Sequence, residues 1–136
     1  MKQVLSLVSL VVEDYDEAVE FFVGKLGFEL LEDTRLTEEK RWVRIAPRNA
    51  GHPGCALLLA KANNDAQRLA IGHQAGGRVF LFLQTDNFER DYSRYRQAGV
   101  VFREEPRNEA YGRVVVFEDL YGNPWDLFEP KDRSGD

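Results

Sequence analysis

The sequence contains a single cysteine, no long hydrophobic run and no excess of basic residues, and each shortage excludes a class of protein. With Cys55 alone, no internal disulfide can form, and a reducing cytoplasm is the expected location. No stretch approaches the roughly 18 apolar residues of a membrane span, and the N-terminus lacks a signal-peptide pattern. We therefore expect a cytoplasmic protein that has no membrane as a partner.

The charge balance disfavours nucleic acid as a partner. Eighteen basic residues stand against 23 acidic ones, a net charge of −5 that is mildly compatible with a cationic ligand. With 136 residues, 43% of them hydrophobic, the chain can bury one real core. We expect a single domain over residues 1–136.

The first half of the chain predicts a strand, a helix and three more strands. A strand candidate, Val4–Val12, precedes Asp14 and Asp16, either of which can cap a helix. Apolar residues then recur at three- and four-residue steps over Tyr15–Leu26, and Gly27 ends that helix. The further strands predicted in this half are Phe28–Thr34, Arg41–Ala46 and Cys55–Ala60.

The same order returns after a stretch of different character. Residues 61–77 predict a linker with a short helix over 66–71, which could also serve as a flap. A strand over Val79–Leu83 and a helix start at Asp86 follow, and Gly99 ends the helix Phe88–Ala98. The last extended segments are Val100–Arg103, Val114–Phe117 and Trp125–Glu129, the last of them opened by Pro124.

The final hairpin gives the clearest prediction of side-chain direction. Asp119 and Gly122 supply turn chemistry between its strands. Because side chains alternate along a strand, Trp125 shares a face with Leu127, and Asp126 points the other way. The Trp125 face must pack on the helices, so Asp126 is expected on the opposite face, partly buried.

An internal duplication is indicated by equal spacing. Asp14 to Gly27 and Asp86 to Gly99 each span 13 residues, and each Asp follows an apolar strand. We interpret the chain as an α+β protein of two tandem βαβββ modules, the first over about 4–60 and the second over about 78–129.

These residues resemble a known superfamily. The segments EDYDEAVEFF, KLGFEL and FEDLYGNPWDL, at residues 13–22, 25–30 and 117–127, are similar to the vicinal oxygen chelate superfamily. That superfamily contains glyoxalase I, the bleomycin- and fosfomycin-resistance proteins and the extradiol dioxygenases. The resemblance covers Val4 to Glu129 and implies curved mixed sheets around a cavity, within a homodimer that takes a small-molecule ligand.

The resemblance also implies where a metal would bind. Metal-using members place four ligands, drawn from His, Gln and Glu, in the cavity. The matching positions here are Leu7, Leu58, Phe80 (or Val79 beside it) and Asp126. Because one carboxylate cannot hold a catalytic divalent ion, we expect no metal cofactor.

The other ligand-type residues do not replace the missing set. His52 lies beside Pro53 in a predicted loop, and His73 lies in the glycine-bounded linker. Both are typical of surface loops. Cys55, at a strand start, is predicted to be a small core residue.

Three functions remain open. The first is a metal-free protein that binds or sequesters a partly apolar ligand, with Trp42 or Phe128 as stacking walls and Asp126 as a charged contact. The second is a glyoxalase- or dioxygenase-like enzyme that works without a metal, or with a weakly held one, and has Asp126 as general base. The third is an accessory or dimerisation module without a ligand. Strand aromatics are usually core residues, which is the alternative for each of them.

The enzyme hypothesis adds residues that hold a substrate. Arg44, Arg78 or Arg113 would clamp an anionic group, and Tyr111 would donate a hydrogen bond. The candidate catalytic residue is Asp126. The predicted pocket residues are Leu7, Trp42, Arg44, Leu58, Phe80, Tyr111, Arg113 and Phe128.

Overall fold

A computed structural model describes residues 2–49 and 54–131, and the chain divides into two compact units, Met1–Ile71 and Gly72–Asp136. The elements of the first unit are β1 (Leu7–Val12), α1 (Tyr15–Val19), a π-helical segment (Glu20–Lys25), β2 (Glu29–Arg35), β3 (Arg41–Ala46), β4 (Ala56–Lys61) and α2 (Asp65–Ala70). Those of the second are β5 (Leu81–Gln84), α3 (Phe88–Gln97), β6 (Arg107–Glu109), β7 (Gly112–Glu118) and β8 (Pro124–Pro130).

Within the described residues, each unit holds a four-stranded mixed sheet with the same strand order. The first sheet runs β1-β4-β3-β2 and the second runs β5-β8-β7-β6. In both, the first strand pairs in parallel with the last one, and the remaining pairs are antiparallel. The predicted α+β class with two βαβββ modules is confirmed.

The core of the first unit lies between its sheet and its helix. Asp14 caps α1 by accepting a hydrogen bond from the Glu17 N–H at 2.9 Å, and Gly27 follows the helix with a φ of 76°. The residues that close this core are fully or almost fully buried: Leu10, Val12, Ala18, Phe22, Val43, Ile45 and Leu59.

The predicted helix Tyr15–Leu26 is only partly α-helical. After Val19 it continues as the π-helical segment, in which the Leu26 N–H donates to the Phe21 carbonyl five residues earlier. Both phenylalanines of this segment, Phe21 and Phe22, are buried. The wider turn therefore still directs its aromatic side chains inward.

The second helix is capped one residue later than predicted. Asn87, and not Asp86, is the N-cap of α3, because its side chain accepts from the Arg90 N–H at 3.1 Å. Glu129 of β8 accepts from the Phe88 N–H at 2.7 Å and so ties the helix start to the sheet. The cap-to-glycine spacing is 12 residues in the second unit, from Asn87 to Gly99, against 13 in the first.

The β7–β8 turn is built around Asp119, as its turn chemistry predicted. This carboxylate is 4% exposed and accepts from the backbone N–H groups of Tyr121 and Asn123 and from Trp125 Nε1, each at 3.0 Å. Burial raises the pKa of Asp119, although these donors act against the rise. Gly122 turns the chain with a φ of 91°.

Two predicted segments differ from the structure. Val100–Arg103 contributes only an isolated bridge, Phe102 to Phe117, and the strand that pairs with β7 is β6, which follows Pro106. Cys55 is exposed just before β4 and is not a core residue.

Residues 61–77, predicted as a linker, belong to both units. Lys61 ends β4, and α2 packs against β1, with Asn64 as its cap. Further on, the Gln74 N–H donates to Asn123 Oδ1 at 3.1 Å within the second unit. No helix in the described part of the chain is long and apolar enough to cross a membrane.

Candidate functional site

The two faces of the second sheet differ in chemistry. One face packs on α3 through the rings of Tyr95, Phe117 and Trp125, which meet at centroid distances of 5.4 and 5.8 Å. We call the other side the open face of the second sheet. The strand registers place on it Phe82, Gln84, Arg107, Val114, Val116, Asp126 and Phe128.

Asp126 lies on this open face, opposite the helix-packed Trp125, as predicted. It is 7% exposed, and its Oδ1 atom is enclosed without a hydrogen-bond partner among the described residues. Burial raises the pKa of this carboxyl; the charge of Arg107 lowers it and that of Glu104 raises it. A buried carboxylate oxygen without a donor is costly to the fold.

The neighbours of Asp126 on the adjoining strands are Phe82 and Val116. Phe82 of β5 lies directly opposite Asp126 and is 65% exposed, an unusual exposure for a phenylalanine. On the other side the register pairs Asp126 with Val116 of β7. The carboxylate is therefore flanked by an exposed ring and an aliphatic side chain.

A charged cluster adjoins this row at the edge strand. The Val116 N–H donates to Glu104 Oε2 at 3.1 Å, and Glu104 also accepts from Arg107 Nε at 3.0 Å. The same guanidinium pairs with Glu109. One arginine is thus shared by two carboxylates on the side of the sheet that carries Asp126.

Phe128 and Tyr111 lie near each other at the end of the second sheet. Their rings meet edge to face at a centroid distance of 6.5 Å. Phe128 is half-buried on the open face, in register with Val114, and Tyr111 is exposed in the turn before β7. These two predicted pocket residues share a side of the sheet with Asp126.

Arg113 and Phe80 do not join this group. The Arg113 guanidinium lies 4.9 Å from the centroid of the Phe88 ring and pairs with Glu89, both on α3. Arg113 therefore does not lie beside Asp126, because its position on β7 directs it to the helix face. Phe80 precedes β5, and its ring meets the ring of Trp125 at 6.4 Å.

The remaining predicted pocket residues lie together on the face of the first sheet that is opposite its helix. Leu58 of β4 is in register with Ser9 on one side and with Arg44 on the other. Arg44 Nε donates to Glu32 Oε1 at 3.0 Å, and this contact lowers the pKa of Glu32. Leu7 and Trp42 share that face by strand alternation. Arg44 therefore has a carboxylate partner other than Asp126.

The donor set does not fit a divalent metal. Among residues 2–49 and 54–131, no group of three or more His, Cys, Asp or Glu side chains could hold an ion. Leu7, Leu58 and Phe80 carry no ligand atom. His73 is exposed in a loop, as predicted, and His52 lies outside the described residues.

Two surface depressions of the second unit lie away from Asp126. One of about 560 Å³ lies at the end of the second sheet, between Asn108 and Lys131, and one of about 400 Å³ lies near Tyr92 and Phe102. Neither is lined by Asp126 or Phe82.

Three residues of this group were missed by sequence reasoning. Phe82 is one of the strand aromatics for which a core role was the alternative, and it was not among the predicted pocket residues; its register with Asp126 places it on the open face. Glu104 and Arg107 were passed over. Their signal is an oppositely charged pair three residues apart, directly before a hairpin.

Several proteins are similar to this chain over nearly its whole length. A protein from Shewanella frigidimarina (strain NCIMB 400) is 53% identical over 135 residues, covering 98% of both chains. The crystal structure of UcmS2 has a TM-score of 0.80 at 32% identity, covering 94% of this chain and 98% of that one.

A second solved structure has a name that states a function. TnmS3, an antibiotic binding protein from Streptomyces sp. CB03234, has a TM-score of 0.74 at 29% identity, covering 96% of this chain and 98% of its own. The family model described as Glyoxalase/Bleomycin resistance protein/Dioxygenase superfamily matches residues 4–127.

Proposed function

We propose that this chain, which belongs to the Glyoxalase/Bleomycin resistance protein/Dioxygenase superfamily, is a small-molecule-binding protein that works without a metal centre. The observation that carries the proposal is the pair of Asp126 and Phe82 on the open face of the second sheet. One is a buried carboxylate whose Oδ1 has no hydrogen-bond partner in residues 2–49 and 54–131, and the other is an exposed ring directly opposite. The ligand is a small, partly apolar molecule.

The buried Asp126 carboxylate and the exposed Phe82 ring both lower the stability of the ligand-free protein. An enclosed carboxylate oxygen without a donor destabilises the native state, and an exposed phenylalanine leaves apolar surface in water. Residues that oppose stability in this way are expected where function requires them. A ligand that covers Phe82 and contacts Asp126 would relieve both costs.

The relatives support binding as the activity. TnmS3, 29% identical to this chain, is described as an antibiotic binding protein. Resistance proteins are part of the superfamily's own description. Leu7, Leu58 and Phe80, at the positions where the superfamily resemblance places metal ligands, have side chains that carry no ligand atom, which supports a function without a metal centre.

The proposal is tested by metal content and by ligand mapping. The protein, purified without added salts, should contain well under one equivalent of divalent metal, and added Ni²⁺, Zn²⁺ or Fe²⁺ should not change its melting temperature. Acridine, a flat apolar probe, should shift the amide NMR signals of β5 and β8 around Phe82 and Asp126. About one tightly bound ion per chain, or no shifts at these strands, would contradict the proposal.

A second candidate is a lyase or dioxygenase-related enzyme with Asp126 as general base. The observation that favours it is the raised pKa of Asp126, because a general base works best with a pKa near the operating pH. The variant Asp126→Asn separates the two candidates. An enzyme should lose turnover and retain its substrate, whereas a binding protein should lose affinity.

A further inference from the structure

We propose that the site around Asp126 selects aromatic compounds that carry a protonated amine. The ammonium or its N–H groups would bind the Asp126 carboxylate, and the aromatic ring would pack on Phe82. This inference rests on the proposed binding function and adds the chemical class of the ligand.

The local charges favour a cation. The charges that act on Asp126 are Arg107, which lowers its pKa, and Glu104, which raises it. Glu104 and Glu109 both pair with Arg107, so the formal charges of this cluster sum to one negative charge. The ionised Asp126 adds a second. An anionic ligand would meet this excess, whereas an ammonium group compensates it and supplies the donor that the carboxylate lacks.

The backbone places this charge beside the carboxylate. Val116, directly opposite Asp126, donates its N–H to Glu104, so the cluster is anchored to the same row of the sheet. Asp126 itself is more than nine-tenths buried, and its Oδ1 has no hydrogen-bond donor among the described residues. The amine of a ligand would supply the hydrogen-bond donor that Asp126 lacks among the described residues.

Phe82 completes the recognition of the ligand. Its exposed ring can stack on a flat ligand and can also attract a nearby cation through its π face. The matching row of the first sheet has Ser9, Leu58 and Arg44, which are a small polar residue, an apolar residue and a cation. The preference for a cation is therefore a property of the second sheet and does not follow from the fold.

Three probes with one ring system test the inference. The probes are 9-(aminomethyl)acridine, whose alkylamine is protonated at neutral pH, neutral acridine, and the anion acridine-9-carboxylate, each titrated at neutral pH by fluorescence. The wild-type protein should bind 9-(aminomethyl)acridine at least about tenfold more tightly than acridine, and acridine-9-carboxylate most weakly. This ranking needs no variant, so it tests the proposal even if a substitution prevents folding.

Variants assign the selectivity to residues. Asp126→Asn should lower the ratio of amine-probe affinity to acridine affinity by about tenfold, while the affinity for acridine itself changes by less than about threefold. Phe82→Ser should weaken the binding of all three probes. Serine is the residue at the matching position of the first sheet, Ser9. Asp65→Asn, the same chemical change on the exposed α2, should leave the ranking unchanged and excludes an effect of net charge.

Several outcomes would overturn the inference. These are equal binding of the anionic and cationic probes, and retention of the amine preference by Asp126→Asn. A third is loss of self-association in Phe82→Ser with unchanged probe affinity, which would assign the ring to an interface. Failure of all three probes to bind would overturn the proposed function as well, whereas binding without selectivity would overturn only the ligand class.

Discussion

Leu58 and Asp126 hold matching positions in two sheets of identical strand order, yet their chemistry is opposite. Leu58 is in register with Ser9, five residues before the helix cap Asp14, and Asp126 is in register with Phe82, five residues before the cap Asn87. The same framework thus carries an apolar side chain in one sheet and a buried carboxylate in the other. The asymmetry between the sheets is where we locate function.

Asp126→Asn is expected to stabilise the protein at neutral pH. Because burial raises the folded pKa of Asp126 above its unfolded value, the contribution of this carboxyl to stability is greatest below the unfolded pKa and is lost as the pH rises through the folded pKa. The asparagine variant should therefore gain on the order of 1 kcal/mol at neutral pH, and the gain should shrink toward pH about 4. Urea unfolding of both proteins across this range measures it.

Asp65→Asn is the control for this comparison. Asp65 is an exposed residue of α2, and its substitution should change stability by less than about 0.5 kcal/mol at any of these pH values. A loss of stability in Asp126→Asn at neutral pH would show that the carboxylate is a structural partner.

Asp119→Ala should destabilise the second unit strongly. The substitution leaves the buried Trp125 Nε1–H and the Asn123 donors without their acceptor. We expect a loss of about 3 kcal/mol in the free energy of unfolding, together with a changed tryptophan emission spectrum. A loss below about 1 kcal/mol would mean that water replaces the carboxylate without cost.

Two glycines should respond to alanine in opposite directions. At Gly112, φ is 150° and a Cβ would clash with the Glu129 carbonyl oxygen, so Gly112→Ala should cost at least about 2 kcal/mol. Gly24 lies in the π-helical segment, and a Cβ there meets no atom of the described residues within 4 Å. Gly24→Ala should add about 0.5 to 1 kcal/mol. Chemical denaturation of the two variants measures both changes in the free energy of unfolding. Equal changes in the two variants would contradict the prediction.

The protein is expected to be a homodimer. Leu30 and Leu31 are exposed on β2, an edge strand of the first sheet. Self-association would cover such edges. Light scattering at tens of micromolar should give twice the chain mass of 15.6 kDa. A mass equal to that of one chain would contradict the prediction.

The sequence predicted best those elements that local chemistry determines. The strand β3 was placed at its observed bounds because its alternation of buried and half-buried residues is regular. Asp14 and Gly27 marked the helix ends correctly, since capping and left-handed glycines act within one turn. The direction of Asp126 followed from the same alternation.

The predictions that were wrong concern structure that depends on contacts between residues distant in the sequence. β6 has a charged sequence, Arg107-Asn108-Glu109, with no strand propensity, and it is extended because it pairs with β7. Arg113 was assigned to the wrong face because its direction follows from the β7 register and from Phe88 on α3. Composition and periodicity contain no information of this kind.

The π-helical segment affects how the sequences of the two halves must be compared. An added residue in a regular α-helix rotates everything beyond it by about 100°, which would carry Leu26 and Phe28 out of the core. The wide turn at Glu20–Lys25 takes up one residue, so both side chains remain buried. The first helix is therefore a lengthened copy of the second. A gap-free superposition of the two halves must go out of step there, and a repeat search has to allow one insertion between Val19 and Leu26.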